Sequence, residues 1–579
     1  MRRLWNYLWR YRQRYSLGGA CLLATATLAM MVPYLLKRAI DAVGHGGTWR
    51  QISLYALLIT LIAIVQAVAR TFSRALIFNV GRDVEYDLRN DLFAHLQRLP
   101  QSYYHQQHTG DLMSRLINDV TAVRMLLGPG ILNFVNTPVY YAYGVGIMLS
   151  LDPRLTIAAL LPYPLLLVLV KRYSRRLMEY TLRVQEGLAE MSSRVQENLS
   201  GIHVVRAYAC EAGETAAFAA LNERFKAQSM LLAAARGQMM PIMKTAASLG
   251  TLVVLWYGGV EVVNHRLSLG DLVAFIGYLN LLAWPTMAMG WMLSILQRGR
   301  AAMQRLEHVF GIEPDIRDAP DAVALPAVRG QIEFRNVDFA YRAAGNGHQV
   351  LHHVSLHIKP GQKLALVGRT GSGKSTLATL LPRLFDVRGG QILLDGRDVR
   401  SLPLAQLRRS IGFVSQDPFL FSSTIRANIR FGVDAADDTA VRRAATIAGV
   451  ADDIAAFPRG YETVVGERGI TLSGGQKQRL TLARAVLADP PILVLDDALS
   501  SVDTRTERAI LSALEGALRD RTAILIAHRI STIQDADVIA VLDEGQIVEL
   551  GDHDSLLARD GVYAEIFRQQ RLEEEIAEL

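Results

Sequence analysis

A glycine-rich stretch near the middle of the chain has the residue types and spacing that bind nucleotide phosphates. It follows an apolar run at 364–367 and consists of Gly368, Arg369, Thr370, Gly371, Ser372, Gly373, Lys374, Ser375 and Thr376. The glycines let backbone N–H groups converge on phosphates, and a helix that begins here adds its partial positive charge. The pattern predicts that Lys374 reaches the β and γ phosphates and that Ser375 binds Mg²⁺.

A second apolar run, at 492–495, ends in two aspartates. A strand that ends in Asp delivers a carboxylate to the carboxyl edge of a parallel sheet, where it can hold Mg²⁺ directly or through water. We therefore expect Asp496 to be a metal ligand. The pattern is weak by itself and becomes convincing because it lies downstream of a phosphate-binding loop.

Between these two motifs lies another stretch that can bind an anion. Its residues are Leu472, Ser473, Gly474, Gly475 and Gln476. The serine and the glycines could form a second anion-binding helix N-terminus. Two phosphate-binding sites in one domain make sense if nucleotide is bound between two such domains.

Together these motifs resemble those of the ATP-binding-cassette (ABC) transporter family, and further positions match its pattern. The resemblance implies that Tyr341 stacks on adenine, that Gln416 acts at Mg²⁺ and in catalysis, and that His528 is the switch histidine. It also assigns Ser501 and Asp503 to the D-loop and 466–469 to the X-loop. The implied ligands are ATP and Mg²⁺, and residues 472–476 would act on ATP held by a partner subunit.

One position departs from the family pattern. Asp497 stands where the family usually has Glu, the general base that polarises the attacking water. A carboxylate one methylene shorter is displaced by roughly an ångström, which can cost on the order of 10²-fold in rate. The departure resembles the weak-site subunit of heterodimeric bacterial multidrug-resistance-like exporters. A homodimer with two slow Asp sites stays open as the alternative.

The elements around these motifs are predicted from the alternation of apolar runs and helical patterns. Runs at 363–367, 391–394, 411–414, 492–495, 523–526 and 538–542 predict a mainly parallel sheet flanked by helices. Upstream, residues 311–330 contain Pro314, Pro320 and Pro326, which is typical of a linker. The expected α/β P-loop ATPase domain spans 331–579.

The first half of the chain has a different composition. The whole chain has 579 residues, of which 50% are apolar and 20% charged, and this excludes a disordered protein. Uncharged runs at 15–36, 51–69, 125–151 and 272–297, with shorter runs at 155–170 and 245–260, predict six membrane-spanning helices in residues 1–310. The two cysteines exclude a disulfide scaffold and a Cys-based metal site, and we expect both to be free thiols.

Lys and Arg are concentrated at the N-terminus and in the segments between spans 2 and 3 and between spans 4 and 5. The positive-inside rule then places both termini and the ATPase domain in the cytoplasm. The net charge of +7 is thus a topology signal, and no nucleic-acid partner is expected. Helical patterns at 83–98 and 175–198 predict that the spans continue into the cytoplasm, and 105–115 and 208–214 resemble the family's coupling helices.

This layout resembles an ABC exporter half-transporter in a bacterial cytoplasmic membrane. It implies that a second half-transporter subunit is the partner and that the substrate is hydrophobic or lipid-like. Three functions stay open: multidrug-type export, movement of one defined lipid, and a nucleotide-gated channel or regulatory subunit. The nearly complete ATP-site motifs argue against the channel. Arg70 and Arg74, near span 2, are candidate functional charges at or within the membrane.

Overall fold

The computed structural model describes residues 2–341, 349–466, 472–502, 504–518, 521–527, 529 and 533–578. Within these residues the chain forms two compact units. The first comprises residues 1–97 and 109–312, and the second comprises 98–108 and 313–579. A short segment from the N-terminal half therefore belongs to the C-terminal unit.

The first unit is entirely helical, as the apolar runs predict. Its α-helices are α1 Arg2–Arg10, α2 Arg12–Gly44, α3 Trp49–Leu96, α5 Thr109–Ser114, α6 Val120–Met125, α7 Ile131–Leu151, α8 Pro153–Leu160, α9 Pro162–Ser200, α10 Ile202–Ala207, α11 Glu211–Val253, α12 Gly259–Val263 and α13 Leu269–Phe310. Short π-helical turns at Arg115–Asp119, Leu126–Gly130 and Val254–Gly258 join neighbouring helices without a break. Among the described residues this gives long helical runs at 12–44, 49–96, 109–151, 211–263 and 269–310, and α8 and α9 form a sixth, at 153–200, that is interrupted by a turn at Leu161.

Among the described residues, three of these helices are long and apolar enough on their own to cross a membrane. They are α2, α3 and α13, and a shorter apolar stretch covers Ser248–Val263. The remaining predicted spans are interrupted by a π-turn or a proline, or are followed by charged residues. Long extensions beyond the apolar runs are present as predicted, because α3 continues to Leu96 and α9 to Ser200.

Packing within the first unit relies on small residues and on a few polar contacts. Ser73 of α3 donates a hydrogen bond to the Gly18 carbonyl of α2 at 2.9 Å. The hydroxyl of Tyr278, which is fully buried on α13, donates to the Met30 carbonyl at 3.1 Å. Helices α2, α3 and α13 are thereby joined at closely packed positions. Cys21 and Cys210 are both free, which confirms the prediction.

The second unit is an α/β domain with two sheets. Its strands are β1 Ile332–Ala340, β2 Gln349–Ile358, β3 Lys363–Val367, β4 Gly389–Leu394, β5 Arg397–Asp398, β6 Ile411–Val414, β7 Ile492–Asp496, β8 Thr522–Ile526, β9 Val538–Asp543 and β10 Gln546–Gly551. Its α-helices are α4 Gln101–Gln106, α14 Lys374–Leu380, α15 Leu404–Arg409, α16 Ile425–Arg430, α17 Asp438–Ile447, α18 Ala451–Ala456, α19 Gly474–Leu487, α20 Thr504–Leu518, α21 His553–Ala558 and α22 Val562–Glu578.

The larger sheet positions the predicted motifs along one edge. Its order is β10-β9-β3-β8-β7-β6, and all neighbours are parallel except the β9–β10 pair. The carboxyl ends of β3, β7 and β8 therefore meet at one edge, where the phosphate-binding loop, the aspartate pair and the segment containing His528 begin. Strands β7 and β8 are buried along their whole length, which explains their continuous apolar runs.

The predicted strand at 391–394 lies elsewhere. As β4 it belongs to a separate antiparallel sheet of order β2-β1-β4-β5. A short apolar run carries no information about which sheet it joins, because that depends on partners far away in the chain. Side chains of β1 and β2 pack with those of α14 and the larger sheet in one hydrophobic core.

The first predicted coupling segment is displaced in the structure. Helix α4, at Gln101–Gln106, packs on the ATPase domain, whereas residues 109–114 belong to the membrane unit. Tyr103 is buried, and the His105 ring lies 5.9 Å from the Phe385 ring between centroids. The aromatic residues of α4 supply the apolar surface for this contact, which residues 109–114 lack. The second predicted segment, 208–214, covers a turn and the first residues of α11, and the short helix α10 lies just before it. None of the residues of α10 is buried.

Candidate active site: a nucleotide-binding loop and an aspartate pair

The loop between β3 and α14 is held in a conformation that requires glycine at two positions. Gly368 and Gly373 have φ angles of +151° and +102°. A Cβ at Gly368 would approach the Leu542 carbonyl oxygen to 2.1 Å, and one at Gly373 would approach Leu351 Cδ2 to 2.8 Å. Side chains at these positions would displace the loop from the sheet. At Gly371 nothing lies within 4 Å of the position of a Cβ, so the loop is open there.

Lys374 is the first residue of α14, and its side chain folds back over the loop. Its ammonium donates to the carbonyl oxygens of Gly368 at 2.7 Å and Arg369 at 2.8 Å. Burial lowers the pKa of the ammonium from its ordinary value, while the charges of Asp496 and Asp497 oppose this effect by raising it. The ammonium of Lys374 is thus held by carbonyl groups of the loop itself. A bound phosphate can replace these carbonyl groups as the partner of the ammonium.

Two of the three predicted metal ligands, Ser375 and Asp496, lie side by side. Ser375 Oγ donates a hydrogen bond to Asp496 Oδ1 at 2.9 Å, although the residues are 121 positions apart in the chain. A hydroxyl and a buried carboxylate at the end of a phosphate-binding loop are hard oxygen ligands, so this pair fits Mg²⁺. Bound Mg²⁺ would neutralise the charge that develops on phosphate oxygens during hydrolysis.

Tyr341, for which a contact with adenine is predicted, lies beside the loop. Its hydroxyl is 3.1 Å from Thr376 Oγ1. Its ring packs edge-on against Phe339 and Phe385, with centroid distances of 4.9 Å and 5.3 Å. These two aromatic rings therefore fix the Tyr341 side chain next to the start of α14. Phe385 also contacts α4 through His105, so one aromatic cluster joins the loop region to this helix.

Asp497 adopts a backbone conformation that few residues tolerate. Its φ angle is +49°, in the left-handed region where Asp is enriched. The conformation is held by hydrogen bonds from Asp497 N to the Ile526 carbonyl at 2.8 Å and to the Asp497 carbonyl from Ser500 at 3.1 Å and Gln478 at 3.3 Å. Asp497 lines a cavity of about 190 Å³ with Ser500, Ile526 and Arg529. The packing thus fixes where the carboxylate can reach.

Residues 472–476 form the N-terminus of a 14-residue helix, α19. Ser473 is its N-cap: the hydroxyl accepts from Gln476 N at 3.2 Å, and the Gln476 side chain accepts from Ser473 N at 3.1 Å. A Cβ at Gly475 would come within 2.8 Å of the Ser501 carbonyl oxygen, so the helix packs closely on the D-loop. In the described part of the chain, no hydrogen bond or ion pair joins 473–476 to 368–376. Ser473 is exposed.

The structure adds Gln478, which the sequence motifs did not single out. This buried side chain donates to the Ser500 hydroxyl at 2.9 Å and to the Asp497 carbonyl, and it accepts from Ser501 N at 2.9 Å. It therefore connects α19 to the turn that carries Asp497 and to the D-loop. The sequence signal for this role was the helical spacing, which places Gln478 on the same face of α19 as Thr481 and Ala485, both of which are buried.

Three predicted positions lie outside the described residues: His528, Asp503 and Glu467 of the X-loop. Gln416 is exposed just beyond β6 at the same sheet edge. Arg529, next to His528, donates to the Val502 carbonyl at 3.1 Å and forms an ion pair with buried Glu507 of α20. This ion pair ties the segment after β8 to the helix that follows the D-loop, and the motifs did not reveal it.

Comparison with known proteins agrees with this geometry. The family model of the ABC transporter transmembrane region matches residues 15–286, and the ABC transporter family model matches residues 351–500. The solved structure of a bacterial Atm1-family ABC exporter with ATP bound has a TM-score of 0.80 and 30% sequence identity to this chain. The similarity covers 96% of this chain and 99% of that one.

Curated relatives extend over nearly the whole chain. The multidrug resistance-like ATP-binding protein MdlA of Escherichia coli is 37% identical, over 98% of this chain and 96% of its own length. An ATP-dependent lipid A-core flippase of Syntrophus aciditrophicus is 34% identical, over 98% of this chain and 93% of its own. The chain therefore belongs to the ABC transporter family, as an exporter-type, multi-pass membrane protein whose ATPase domain drives transport.

Proposed function

We propose that the chain is one half of a dimeric exporter of hydrophobic or amphipathic compounds, that the dimer is a heterodimer, and that transport proceeds by alternating access. The observation that carries the dimer is the separation of the two anion-binding elements. Ser473 and Gly474 are exposed at the start of α19, and residues 473–476 make no hydrogen bond or ion pair with the described phosphate-binding loop. They would act on ATP bound at the loop of a second subunit.

The exposed helix α10 supports the same assembly. Ile202 and Val204 are 41% and 48% exposed, and Tyr208, just beyond the helix, is 77% exposed. Exposed apolar side chains at the tip of a long helical hairpin are expected to be covered by another surface. An ATPase domain of the partner subunit fits this position. Both termini and the ATPase domains would be cytoplasmic, with Lys374 and Ser375 holding ATP and Mg²⁺.

Asp497 supports the heterodimer. With the backbone held at φ +49° by hydrogen bonds, the shorter carboxylate has little freedom to move toward the attacking water. The site completed by Lys374, Asp496 and Asp497 would therefore hydrolyse ATP slowly. A partner that supplies Glu at the equivalent position would form the competent site together with Ser473–Gln476 of this chain.

The ATPase rate of Asp497→Glu, measured alone and with the partner encoded nearest in the genome, tests this assembly. In a heterodimer we expect slow hydrolysis by the lone chain, strong activation by the partner, and little further gain from the substitution. By analogy with related heterodimers, the partner's equivalent of residues 472–476 is degraded, and this keeps the site slow. In a homodimer the substitution alone should raise the rate clearly. Asp497→Asn, which removes the carboxylate, is the matched control.

A lone wild-type chain that turns over as fast as any mixture would contradict the heterodimer. Glu at a left-handed position costs about 1–2 kcal/mol, so the melting temperature of each variant is measured beside its activity. The hydrogen bonds to the backbone of residue 497 do not involve its carboxylate, and we expect the fold to persist.

The second candidate is a homodimer that moves one defined lipid. It is supported by the similarity to the lipid A-core flippase over 98% of the chain. Transport of a fluorescent phospholipid between the leaflets of proteoliposomes, compared with efflux of cationic dyes, separates the two functions. A chain that moves the lipid without a partner and does not move the dyes would favour the flippase.

A further inference from the structure

A polar cavity lies inside the membrane unit, and none of the nucleotide-site motifs uses it. Its volume is about 250 Å³, and residues from α2, α3, α7 and α13 line it. The lining contains two arginines, three asparagines and a tryptophan: Arg70, Arg74, Asn133, Asn136, Asn280 and Trp284. Such a set of polar side chains is uncommon in apolar helices, and polar residues there mark functional sites by default.

The neighbours of the arginines place the cavity at membrane depth. Leu22, Asn136 and Asn280 lie within the uncharged runs 15–36, 125–151 and 272–297, seven residues or more from the nearer end of each run. Seven residues correspond to about 10 Å along a helix. Arg70 and Arg74 line the same cavity as these residues, and both side chains are exposed, so the cavity is open to the surroundings of the helical unit.

The two arginines have an unusual charge environment. They lie one turn apart on α3, and no Asp or Glu is among the residues that line the cavity. Among the described residues neither arginine takes part in an ion pair or a hydrogen bond. A charged side chain at this depth is costly without a partner, and like charges one turn apart repel each other. An anion bound between them would relieve both effects.

We propose that this cavity binds an anionic amphiphile, with its phosphate or carboxylate headgroup at Arg70 and Arg74. Guanidinium groups pair with such oxyanions through two parallel hydrogen bonds, and the asparagine amides add further donors. Trp284, which is 67% exposed, and Leu281 supply an apolar surface for the hydrophobic part of the molecule. The inference rests on the proposed export function and names the substrate class of the membrane domain.

Binding to the purified full chain in phosphatidylcholine nanodiscs tests the proposal. The probe is a fluorescent alkyl phosphate, displaced by dodecyl phosphate, dodecyltrimethylammonium or inorganic phosphate. We expect displacement by dodecyl phosphate at concentrations at which the other two have no effect. Arg70→Gln and Arg74→Gln should each weaken binding by about tenfold or more, as the loss of a charge-assisted pair predicts.

Arg82→Gln is the matched control, because it removes an exposed arginine of the same helix that is not part of the cavity lining. It should bind as the wild type does. Arg70→Lys keeps the charge and loses the paired geometry, so its affinity should lie between those of the wild type and Arg70→Gln. It gives a second comparison if a glutamine variant does not fold.

Several outcomes would overturn the proposal. Unchanged affinity in the folded Arg70 and Arg74 variants would exclude the arginines as the headgroup site, and equal displacement by the cationic amphiphile would exclude charge selection. Equal displacement by inorganic phosphate would exclude an amphiphile. Failure of the export function is a separate result: no ATP-dependent transport of any amphiphile, whatever its charge, by the chain with its partner.

Discussion

Lys374 and Ser473 are expected to act on two different nucleotides. Lys374→Ala removes the buried cation of the loop and should abolish ATP binding at this chain's own site. Ser473→Ala removes only an N-cap, at a cost of about 1 kcal/mol, so own-site binding should persist while turnover at the partner's site slows. Photolabelling with azido-ATP, beside the ATPase rate of the assembled dimer, measures both effects. Loss of own-site labelling in Ser473→Ala would contradict the arrangement between two subunits.

Gln478 is expected to support hydrolysis without touching nucleotide. Gln478→Glu keeps the acceptor for Ser501 N and loses the donor to the Asp497 carbonyl and Ser500. The Asp497 carbonyl keeps its hydrogen bond from Ser500, but the turn that carries Asp497 loses one of its supports, and a hydrogen bond of this kind contributes about 1 kcal/mol. We expect kcat to fall about tenfold while the Kd for ATP changes little.

Gln331→Glu, an exchange at the distant start of β1, serves as the control for Gln478→Glu and should leave kcat unchanged. The two quantities are measured by steady-state hydrolysis and by equilibrium binding of a fluorescent ATP analogue. A Gln478 variant that loses ATP affinity and kcat to the same extent would show that its role is general stability of the domain.

At the scale of elements, α4 is expected to carry the signal between substrate binding and ATP hydrolysis. The helix packs on the ATPase unit through buried Tyr103 and through His105 against Phe385. Tyr103→Ala removes a buried aromatic side chain, a change of about 3–5 kcal/mol in a well-packed site, which is enough to detach a helix of six residues. Basal ATPase should persist, and its stimulation by substrate should be lost.

The control for Tyr103→Ala is Met113→Ala, which truncates a half-exposed side chain of α5 in the membrane unit. The measurement is the ATPase rate of each variant in proteoliposomes, with and without substrate. Stimulation that survives in Tyr103→Ala would mean that α4 is not needed for coupling.

At the scale of the whole molecule, chemical labelling of the two native thiols tests the membrane topology. Cys210 is exposed next to α10, and Cys21 lies in α2 within the first uncharged run. A membrane-impermeant maleimide should label Cys210 in inverted membrane vesicles and leave it unlabelled in right-side-out vesicles, because the basic segments are cytoplasmic. Cys210→Ser should abolish the signal, since the bilayer shields Cys21. Labelling of Cys210 from the outside would contradict the predicted orientation.

The sequence by itself determined most of the elements and the motifs from which a nucleotide site is predicted. The strands β3 and β6 were predicted to the residue, since buried strands read as short apolar runs that end at turn residues. The pairing of Ser375 with Asp496 follows from two local motifs whose geometry is common to parallel sheets. Each of these features depends on a local pattern of residues, so the sequence is enough to predict it.

The tertiary structure decided what depends on distant segments. Only the fold shows that 98–108 joins the ATPase unit, that Gln478 holds the turn at Asp497, and that Glu507 pairs with Arg529. The sequence placed Arg70 and Arg74 either at the membrane boundary or within the membrane. The structure shows that both line one cavity. Side-chain partners across tens or hundreds of residues are selected by packing and desolvation in three dimensions, and no local pattern encodes that choice.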